Sequence, residues 1–477
     1  MRVCVPVCAK SFAEFAERCE RAAEWADIVE LRLDCVDDPV FAIQTLAGNV
    51  SRPVILTFRP SEQGGYRELT RPARAAFWAR NLTPDFLCDI EADLVSDLLA
   101  TSSVDWSHVI VSHHDFNGVP DDLEQIYERL AATPARVIKI AVRANDITDC
   151  VRVFRLLERA RNETRDLIAI AMGNPGIATR ILGPSRGAFL TYASLEDESA
   201  TAPGQVNARQ LRSVYRVDEI DSETMICGLV GMPVMHSVSP HMHNAAFAAE
   251  GVNGVYLPLE VSDLDGFVKR MVHPKTREIE WNLRGLSITA PHKSSVMNYL
   301  DWVEPQAQEI GAVNTLVVEN GVLHGYNTDV YGFIEPLRER LGSLAGLRVA
   351  VIGAGGAARA ALWSLKTDHA EVTLFARDPA KGKQLAGASF AGYDVVVNAT
   401  PACPVTTDQL AGARLAYDLI YNPMETEFLK EARTVGCETL GGLPMLAAQA
   451  RRQFELWTGK TPSAALMYDS AAAALRQ

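Results

Sequence analysis

Residues 348–359 read R-V-A-V-I-G-A-G-G-A-A-R, and this stretch decides how the second half of the chain folds. An apolar run suited to a buried parallel strand ends at Ile352, and a glycine-rich turn then leads into an Ala-rich helix start. Gly353 permits a tight turn, Gly355 lets another group approach the backbone closely, and Ala358 is small enough for the helix to pack on the strand. Because the first N–H groups of such a helix are free, they bind phosphates. The pattern predicts a dinucleotide-binding sheet of the Rossmann type.

The residues after the next predicted strand indicate which dinucleotide is bound. That strand is 371–375, and an NAD site would place Asp or Glu just beyond it to hold the ribose 2′-hydroxyl. The chain instead has Arg377 and Lys381, whose positive charges suit a 2′-phosphate. We therefore predict NADP as the cofactor. Asp378 leaves a second interpretation open, since it could cap a helix or hold the ribose.

Composition places the chain among ordinary globular proteins and limits its partners. Its 477 residues suggest roughly three domains at about 150 residues each, or fewer if one is a large barrel. The net charge of −13 argues against nucleic acid or an anionic membrane as the main partner, so small molecules are expected. The N-terminal residues include no long apolar segment, and a cytoplasmic location is expected. The sequence does not indicate an oligomeric state.

The nine cysteines are expected to be free thiols. Their number is odd, and no C-x-x-C pair occurs among them. This usage fits a reducing compartment better than a disulfide framework.

The first 215 residues alternate short apolar runs with amphipathic helical stretches. Eight such runs in a little over 200 residues predict a (β/α)8 barrel, whereas the alternative, a doubly wound sheet, normally has fewer strands at this length. In both folds the carboxyl ends of the strands carry the site. The eight runs are 3–8, 28–34, 54–59, 86–91, 108–113, 137–142, 167–172 and 189–193.

Changes in composition suggest where the domains meet. Residues 213–224 are acidic and lack apolar periodicity, and the strand-like run 225–230 follows them. We predict a barrel, then a short linker, then a second α/β domain that binds substrate. The C-terminal helices also belong to this substrate domain, and a dinucleotide-binding domain is inserted between its two segments. The predicted boundaries are 1–215 for the barrel, 216–224 for the linker, 225–332 plus 442–477 for the substrate domain, and 333–441 for the dinucleotide domain.

Several predicted barrel strands carry charged residues where a barrel interior normally has Val, Ile or Leu. Lys139 lies within one apolar strand, and Glu30 and Arg32 alternate in another, so both face the same side. Arg59 and His114 come at the ends of two further strands. Burial disfavours an ammonium, and a neutral lysine amine forms a Schiff base with a ketone. A lysine that reaches water from the strand end, or a network of structural ion pairs, would also explain the pattern.

The motifs of this segment, taken in order, resemble the type I 3-dehydroquinate dehydratases. The resemblance covers residues 1 to about 215 and implies that Lys139 forms an imine with the C3 ketone of the substrate. It also implies that His114 removes the C2 proton and then protonates the departing C1 hydroxyl. The motifs are E-L-R-L-D at 30–34, T-F-R at 57–59, S-H-H-D-F at 112–116, K-I-A at 139–141, M-G-x-x-G at 172–176, T-R-I-L-G at 179–183 and A-P-G-Q at 202–205. The residues that would bind substrate hydroxyls and carboxylate are Glu30, Arg32, Arg59, Arg180, Thr201 and Gln205.

One residue departs from this family at a position that matters for the chemistry. Gln63 stands where the family usually has a glutamate that orients the histidine, and Glu62 lies beside it. A glutamine can hydrogen-bond an imidazole but cannot offset the charge of an imidazolium, so we expect slower proton transfer or a lowered pKa of His114. Gln63 also supports the alternative that the barrel has become a structural or docking module.

From about residue 225 to the C-terminus, the chain resembles the shikimate dehydrogenases. Small hydroxyls and amides in its loops suit a polyhydroxylated substrate, although turns and caps explain many such residues. The resemblance implies that Lys293 donates a proton to the carbonyl oxygen as hydride arrives from NADPH, and that Asp329 fixes Lys293 and the substrate. The motifs are G-M-P-V-x-H-S-x-S-P at 231–240, S-I-T-x-P-H-K at 287–293, G-A-V-N-T at 311–315, N-T-D at 327–329, the glycine loop, N-A-T at 398–400, Y-D-L-I-Y-N-P at 417–423 and G-G-L-P-M-L-x-x-Q-A at 441–450.

The same resemblance assigns the remaining site residues. Ser287, Ala376 and Val330 depart from what this family often has at these positions, and none of them removes the proton donor. The substrate-binding residues would be Ser237, Ser239, Thr289, Asn314 and Gln449. The cofactor-binding residues would be Gly353, Ala354, Gly355, Gly356, Ala357, Arg377, Lys381, Thr400, Tyr421 and Gly442.

Together the two resemblances imply consecutive reactions in one chain. Dehydration of 3-dehydroquinate would give 3-dehydroshikimate, which the second site would reduce to shikimate with NADPH. Neither step is expected to need a metal. The alternative within the same folds is a Schiff-base aldolase joined to an NAD-dependent quinate dehydrogenase.

Overall fold

The chain forms two compact units. The computed structural model describes residues 2–100, 104–196, 201–378, 380–403 and 405–476. The first unit consists of Met1–Thr224 and Leu257–Asn282, and the second of Met225–Tyr256 and Leu283–Gln477. The sequence-based division assigns residues 257–282 to the substrate domain, and that division stays a prediction. Within the described residues, no helix is long and apolar enough to cross a membrane.

The first unit contains the predicted barrel, which is confirmed as a nearly closed parallel sheet of eight strands. Its spatial order is β7-β6-β5-β4-β3-β2-β1-β8, so neighbours along the chain are neighbours in the sheet, apart from the pair that closes it. The last strand is shorter than predicted, but the N–H of Phe189 still donates to the carbonyl of Leu167 in β7 at 2.8 Å. The strands are β1 (Val3–Val7), β2 (Ile28–Arg32), β3 (Val54–Thr57), β4 (Leu87–Glu91), β5 (Val109–Asp115), β6 (Val137–Arg143), β7 (Asp166–Met172) and β8 (Thr191–Tyr192).

The longer helices of this unit form because apolar residues recur along them at helical spacing, and some also begin at a side-chain cap. In α1, Ser11 accepts the N–H of Glu14, and the buried residues Phe15, Cys19, Ala22 and Ala23 share one face. The helices are α1 (Phe12–Trp25), α2 (Pro39–Ala42), α3 (Arg71–Asn81), α4 (Val95–Leu99), α5 (Leu123–Ala131), α6 (Cys150–Asn162), α7 (Ile177–Leu182) and α8 (Ala208–Ser213), with α10 (Leu264–Phe267) in the later segment.

The barrel interior has an apolar layer below a polar layer. Ile28, Ile55, Ile110 and Val137 belong to one buried cluster. Two residues further along each strand, the same face carries a polar side chain, because side chains alternate along a strand with a period of two. This regular displacement places a compact polar group at the carboxyl ends of the strands, where barrel enzymes have their sites. The polar layer consists of Glu30, Thr57, Ser112 and Lys139, together with Asp89 from β4.

Cys8 and Cys35 form a disulfide bond, so the expectation that all nine cysteines are free is wrong for this pair. Cys8 follows β1 and Cys35 follows β2, and these parallel neighbours end side by side, which brings the two Cα atoms within 5.3 Å. Since 27 residues separate the pair along the chain, only the strand pairing places them together. The other seven cysteines are free.

The second unit is built on two six-stranded sheets. The mixed sheet has the order β10-β9-β11-β13-β14-β12, with β9 and β11 parallel and β13 antiparallel to both of its neighbours. The other sheet is wholly parallel and has the order β17-β16-β15-β18-β19-β20. The strands are β9 (Met225–Gly231), β10 (Gly254–Glu260), β11 (Leu283–Ile288), β12 (Trp302–Val303), β13 (Thr315–Glu319), β14 (Val322–Tyr326), β15 (Arg348–Ile352), β16 (Glu371–Ala376), β17 (Lys383–Gln384), β18 (Val395–Asn398), β19 (Leu415–Asp418) and β20 (Glu438–Leu440).

The parallel sheet confirms the predicted Rossmann fold. Numbered from β15, its strand order is 3-2-1-4-5-6, the arrangement of dinucleotide-binding domains. The order reverses between β15 and β18, and in such sheets ligands bind at the strand ends where this happens. Because the glycine loop follows β15, the fold places that loop at this reversal.

The helix α16 (Leu443–Thr458) packs on the mixed sheet, and the last helix packs on α16 and on α9 (Ser239–Ala249). Trp457 of α16 lies against Gly285 of β11, where any side chain would collide with the indole. Its indole N–H also donates to the carbonyl of Leu316 at 2.9 Å. The helices of this unit are α9 (Ser239–Ala249), α11 (Pro305–Ile310), α12 (Asp329–Leu341), α13 (Gly356–Thr367), α14 (Thr407–Leu410), α15 (Glu427–Thr434), α16 (Leu443–Thr458) and α17 (Ala464–Ala474).

Candidate active sites

Lys139 lies inside the barrel with its amine surrounded by polar groups. Its side chain is 7 % exposed, and Nζ lies 2.8 Å from Asp89 Oδ2 and 3.7 Å from Glu30 Oε1. Nζ also donates to the hydroxyl of Tyr192 at 3.0 Å. The opposite charges compensate one another, so the buried lysine is not an isolated ammonium. It lines a cavity with the other predicted residues of this site.

Asp89 is a buried carboxylate of the barrel interior that is not among the residues predicted from the sequence. Its Oδ2 also accepts from Arg59 Nη2 at 2.7 Å. Burial opposes ionisation, but attraction by Arg59 and then Lys139 outweighs it, so the pKa of Asp89 lies well below its usual value. Burial raises the pKa of nearby Glu91 to about 7, although Arg59 opposes this shift. Near neutral pH, Asp89 is therefore ionised, and it lies between Arg59 and Lys139.

Arg59 is held in place by several side chains of the barrel interior. Besides Asp89, its Nη1 donates to Ser112 Oγ at 2.8 Å and lies 3.3 Å from Nδ1 of His114. Because an arginine can only donate, Nδ1 accepts, and the neutral imidazole carries its proton on Nε2. Arg59 thus fixes the orientation of His114 in addition to facing the cavity.

The pKa of His114 is lowered, and the causes are burial and positive neighbours. Burial is the largest cause, followed by the charges of Arg59 and Lys139, and together they hold the pKa of His114 well below its usual value. Gln63 lines the same cavity, yet no hydrogen bond joins it to the histidine, and its buried Oε1 has no partner among the described residues. The orienting contact to His114 comes from Arg59 instead.

The remaining predicted residues of the barrel site line the same cavity. Arg32 is held by two hydrogen bonds to Asp34, of 3.0 and 2.8 Å. Arg180 donates to two backbone carbonyls and, within the described residues, faces no carboxylate at salt-bridge distance, so burial lowers its pKa to about 10. The amide of Gln205 accepts the backbone N–H of Thr201 at 2.8 Å. The predicted residues that line this cavity are Glu30, Arg32, Arg59, His114, Lys139, Arg180, Thr201 and Gln205.

The sequence could have suggested Asp89 but not Tyr192. Asp89 lies in an apolar strand, D-I-E at 89–91, which is the same signal that marked Lys139. Tyr192 lies in a two-residue strand, and the sequence does not distinguish a tyrosine there from an ordinary core residue. Only the barrel, by pairing β8 with β1, brings its hydroxyl to the lysine.

The second unit contains a separate lysine–aspartate pair. Lys293 Nζ lies 2.5 Å from Asp329 Oδ2, and the lysine side chain is 24 % exposed while the aspartate side chain is 8 % exposed. Asn314 Nδ2 donates to the other carboxylate oxygen of Asp329 at 2.8 Å. The carboxylate is thus held from two sides, and it presents the ammonium to a cavity of 240 Å³. The structure thus brings the two predicted residues into contact, and their catalytic role stays a prediction.

Hydroxyl groups line one side of this cavity. The Oγ atoms of Ser237 and Ser239 are 3.1 Å apart, and Ser239 is the first residue of α9. Free N–H groups at a helix start favour an anion, so this corner suits a carboxylate. Burial raises the pKa of Tyr421, which also lines the cavity, although a hydrogen bond with Ser237 opposes that shift.

Further polar side chains of the cavity wall are held by hydrogen bonds. Ser287, which departs from the family pattern, accepts from Tyr256 at 2.7 Å and donates to Gln453 Oε1 at 2.8 Å. Gln449 Nε2 donates to the carbonyl of Leu446 at 3.0 Å. The predicted residues that line this cavity are Ser237, Ser239, Thr289, Lys293, Asn314, Asp329, Ala357, Tyr421, Gly442 and Gln449.

The glycine loop has room for a pyrophosphate. Gly353 has φ of +118°, which only glycine adopts easily, and a side chain there would approach the carbonyl of Ala399 at 2.9 Å. At Gly355 a side chain would meet no protein atom within 4 Å, so the space beside the backbone is open. Ala354 and Gly355 are exposed, and Gly356 begins α13. The predicted residues 353–357 therefore fit a bound dinucleotide.

The groups beyond β16 also fit the predicted cofactor. Arg377 and Lys381 are exposed, and Lys381 lies 3.9 Å from Asp378. Asp378 caps a turn by accepting the N–H of Ala380 at 3.0 Å, which accounts for its presence without a ribose. Thr400 lies just after β18, and its hydroxyl donates to Asn398 Oδ1 at 2.7 Å. A side chain at Gly442 would collide with the carbonyls of the strand-end residues 419 and 420.

Comparison with known proteins gives three matching family models. The type I 3-dehydroquinase model matches residues 3–222. The shikimate dehydrogenase substrate binding domain model matches residues 229–316. The shikimate 5′-dehydrogenase C-terminal domain model matches residues 442–471.

Curated proteins similar to this chain include both two-part and single-activity enzymes. The chloroplastic bifunctional 3-dehydroquinate dehydratase/shikimate dehydrogenase of Arabidopsis thaliana is 33% identical, over 96% of this chain and 82% of that protein. The shikimate biosynthesis protein AroDE of Chlamydia pneumoniae is 28% identical, over 95% of each. The shikimate dehydrogenase (NADP(+)) of Caldanaerobacter subterraneus subsp. tengcongensis is 41% identical, over 51% of this chain and 94% of that protein.

The fold and the two sites define a two-site enzyme, in which a lyase barrel is followed by a dinucleotide-dependent dehydrogenase. Each part contains one lysine paired with an aspartate at the wall of a polar cavity. The chain belongs to the family of bifunctional 3-dehydroquinate dehydratase/shikimate dehydrogenases.

Proposed function

We propose that the barrel dehydrates 3-dehydroquinate to 3-dehydroshikimate and that the second unit reduces this product to shikimate with NADPH. The observation that carries the proposal is the pair of lysine–aspartate contacts, 2.8 Å at Lys139 and 2.5 Å at Lys293, each in its own cavity. The similarity to bifunctional relatives over nearly the whole chain supports the assignment of both reactions.

In the barrel, Lys139 forms a Schiff base with the C3 ketone of the substrate. The amine adds to the carbonyl and water leaves, and the positive nitrogen that remains withdraws electrons from C2. Once Nδ1 of His114 gives up its hydrogen bond from Arg59, this nitrogen takes a proton from C2 and returns it to the C1 hydroxyl, which departs as a second water. Hydrolysis of the imine releases product and restores the lysine. Asp89 stays beside the nitrogen and compensates its positive charge throughout.

Arg180 would bind the substrate carboxylate. Its guanidinium is buried, and within the described part of the chain no carboxylate compensates its charge. An anion from the substrate would fill this role, since a guanidinium binds both oxygens of a carboxylate. The polar cavity thus offers an anion site opposite an amine, which is what a keto acid requires.

In the second unit, Lys293 gives a proton to the carbonyl oxygen of 3-dehydroshikimate. Asp329 holds the ammonium in place, and Asn314 fixes the aspartate from its other side. Ser237 and Ser239, at the start of α9, would bind the carboxylate of this substrate. The carbonyl is thereby oriented toward the proton donor.

The cofactor is NADP, and it supplies the hydride when bound. The open backbone at Gly355 would lie along the pyrophosphate, and the first N–H groups of α13 would donate to it. Arg377 and Lys381 would hold the 2′-phosphate, and Tyr421 and Gly442 would lie near the nicotinamide. A cytoplasmic location and the absence of nucleic-acid and membrane partners stay predictions from the sequence.

Borohydride trapping tests the barrel chemistry directly. Reduction in the presence of 3-dehydroquinate should attach one ligand to the chain, and peptide mass spectrometry should place it on Lys139. The Lys139→Ala variant should give no adduct and no dehydration, and it should retain shikimate oxidation. An adduct on another lysine, or none in the wild-type chain, would contradict the Schiff-base assignment.

A second variant tests the proton donor of the dehydrogenase. Lys293→Ala should lower kcat for shikimate oxidation far more than it weakens NADPH binding, because the amine contacts the substrate and not the cofactor. Fluorescence titration with NADPH measures the binding separately. A loss confined to NADPH affinity would overturn this role for Lys293.

A further inference from the structure

Tyr192 is a buried tyrosine whose hydroxyl touches the reactive amine of the barrel. It ends the two-residue strand β8 and is 4 % exposed. Lys139 Nζ donates to its Oη at 3.0 Å, and Nζ lies 4.2 Å from the centre of the phenol ring. The ring and the hydroxyl therefore both contact the nitrogen that must attack the ketone.

The hydroxyl also connects the lysine to a carboxylate. Tyr192 Oη donates to Glu30 Oε1 at 3.4 Å, and the same oxygen accepts from Thr57 Oγ1 at 2.6 Å. The direction of donation runs from the ammonium to the phenol and from the phenol to the carboxylate. This is a continuous path for a proton that leaves Lys139.

An ammonium cannot attack a ketone until it gives up a proton, and two carboxylates lie near enough to receive one. Asp89 is a weak acceptor, because Arg59 and Lys139 hold its pKa well below the usual value. Glu30 Oε1 lies 3.7 Å from Nζ, which is beyond hydrogen-bond distance, and Tyr192 bridges the two groups. Asp89 thus contacts the nitrogen directly, whereas the hydrogen-bonded path through Tyr192 leads from the nitrogen to Glu30.

We propose that Tyr192 is a catalytic residue of imine formation, which relays a proton between Lys139 and Glu30. The phenol passes its proton to Glu30 as it receives one from the ammonium, and the neutral amine then adds to C3. The remaining amine proton that must leave goes to the carbonyl oxygen, which becomes the hydroxyl of the carbinolamine. Glu30 returns its proton through Tyr192 to this hydroxyl, which leaves as water.

The relay balances and returns every group to its starting state. Of the three protons on the Lys139 ammonium, two leave in the water molecule and one stays on the iminium nitrogen. Glu30 is again a carboxylate, and Tyr192 carries one proton at each stage. Burial, followed by the charge of Glu30, raises the pKa of Tyr192 well above its usual value, so the phenol does not persist as an anion.

The inference rests on the proposed dehydratase function and is tested by Tyr192→Phe, which removes one oxygen atom. The rate of imine formation, measured by quenching a single turnover with borohydride at successive times, should fall by roughly 10²-fold, as when a general acid–base group is lost. The adduct should still form on Lys139 at long times, and binding of 3-dehydroquinate by calorimetry should be unchanged.

Tyr127→Phe is the matched control, because its buried hydroxyl donates to Glu163 on the barrel exterior helices and not to the lysine. It should leave the rate of imine formation unchanged. Glu30→Gln should slow the same step, and the double variant with Tyr192→Phe should be no slower than the slower single variant, since both act in one path.

Two different failures can be told apart. If the wild-type chain gives no adduct at Lys139, the proposed function itself is wrong. If the wild-type chain and Tyr192→Phe form the adduct at equal rates, the relay is wrong and the dehydratase function stands. Should the variant fail to fold, the wild-type chain still decides the matter, because the relay requires a solvent deuterium isotope effect on imine formation and its absence would refute it.

Discussion

Lys139 and Lys293 show how the same residue type is prepared for two kinds of chemistry. Lys139 is almost wholly buried and has a phenol and two carboxylates around it, which suits a nucleophile that is shielded from water. Lys293 is about a quarter exposed and, among the residues that the structure describes, is held by Asp329, which suits a proton donor that exchanges with solvent. Environment, rather than residue type, separates the two roles.

Gln63 is the residue whose replacement should most change the barrel reaction. A carboxylate in Gln63→Glu would favour the imidazolium and raise the pKa of His114, which is now depressed by burial and by Arg59. His114 would be a stronger base, so we expect dehydration to be roughly 10-fold faster near neutral pH. Because a higher pKa means protonation begins at higher pH, the acidic limb of kcat/KM should also move to higher pH.

The matched control is Glu62→Gln, which changes an exposed neighbour and should leave the pH profile in place. Steady-state rates across pH measure both effects. If Gln63→Glu leaves the acidic limb where it is, burial and the charges of Arg59 and Lys139 govern the protonation of His114, and residue 63 does not.

Arg377 should determine the preference for NADPH over NADH. Removing one charge-assisted contact with the 2′-phosphate costs roughly 1.5–3 kcal/mol, so Arg377→Ala should raise KM for NADPH by about 10-fold or more. The KM for NADH should not change, because NADH lacks that phosphate. Lys366→Ala removes an exposed charge in the last turn of α13 and is the control. Equal effects on both cofactors would remove Arg377 from the phosphate site.

At the scale of elements, a substitution in the turn between β15 and α13 should weaken cofactor binding without affecting folding. Gly355 has φ of −80°, which any residue adopts, and a side chain there would meet no protein atom within 4 Å. Gly355→Val should therefore fold normally, with an unchanged Tm, and weaken NADPH binding by roughly 10-fold or more because the new side chain occupies the pyrophosphate space.

Gly48→Val is the control for Gly355→Val, since a side chain at that loop glycine also meets no protein atom within 4 Å. Calorimetric titration with NADPH and thermal unfolding measure the two quantities. Normal NADPH affinity in Gly355→Val would mean that the cofactor does not lie along this turn.

Helix α9 should make the second unit sensitive to acid. His243 stacks on Tyr256 with ring centres 4.3 Å apart, and burial lowers its pKa to about 3. The unfolded chain binds a proton near pH 6.5 while the folded chain does not, so stability falls as pH drops below that value. Between pH 7 and pH 5 the loss from this group is about 2 kcal/mol in the free energy of unfolding.

The variant His243→Phe should remove that part of the pH dependence, because phenylalanine keeps the stacking and cannot titrate. Urea unfolding at the two pH values, followed by loss of shikimate oxidation, measures it. His369→Asn, which changes an exposed histidine, should keep the acid sensitivity of the wild-type chain. An unaltered slope in His243→Phe would assign the sensitivity to other groups.

The sequence predicts helices, strands and turns whose signal lies in neighbouring residues. It does not predict contacts between residues that are far apart in the chain. The eight barrel strands and the glycine loop can be predicted because apolar runs and turn residues mark them in the sequence. The contact of Tyr192 with Lys139 depends on residues 53 positions apart, and the bond between Cys8 and Cys35 on strand pairing. The sequence predicts that Arg59 binds substrate. Its hydrogen bond to Asp89 depends on the register of adjacent strands, which the sequence does not reveal.

At the scale of the whole molecule, each unit contains the groups that its own reaction needs. Among the described residues, those that line the barrel cavity belong to the first unit, and those that line the second cavity belong to the second unit. Loss of one lysine should therefore leave the other reaction intact. The product of the first reaction is the substrate of the second, so the chain should carry out both steps without another enzyme.

The most direct test combines the purified full chain with 3-dehydroquinate and NADPH and measures shikimate by mass spectrometry. The wild-type chain should produce shikimate with consumption of one NADPH for each molecule formed. Lys139→Ala should produce shikimate only when 3-dehydroshikimate is supplied, and Lys293→Ala should accumulate 3-dehydroshikimate. Failure of the wild-type chain to form shikimate, or loss of both reactions in either variant, would contradict the assignment of two independent, consecutive sites.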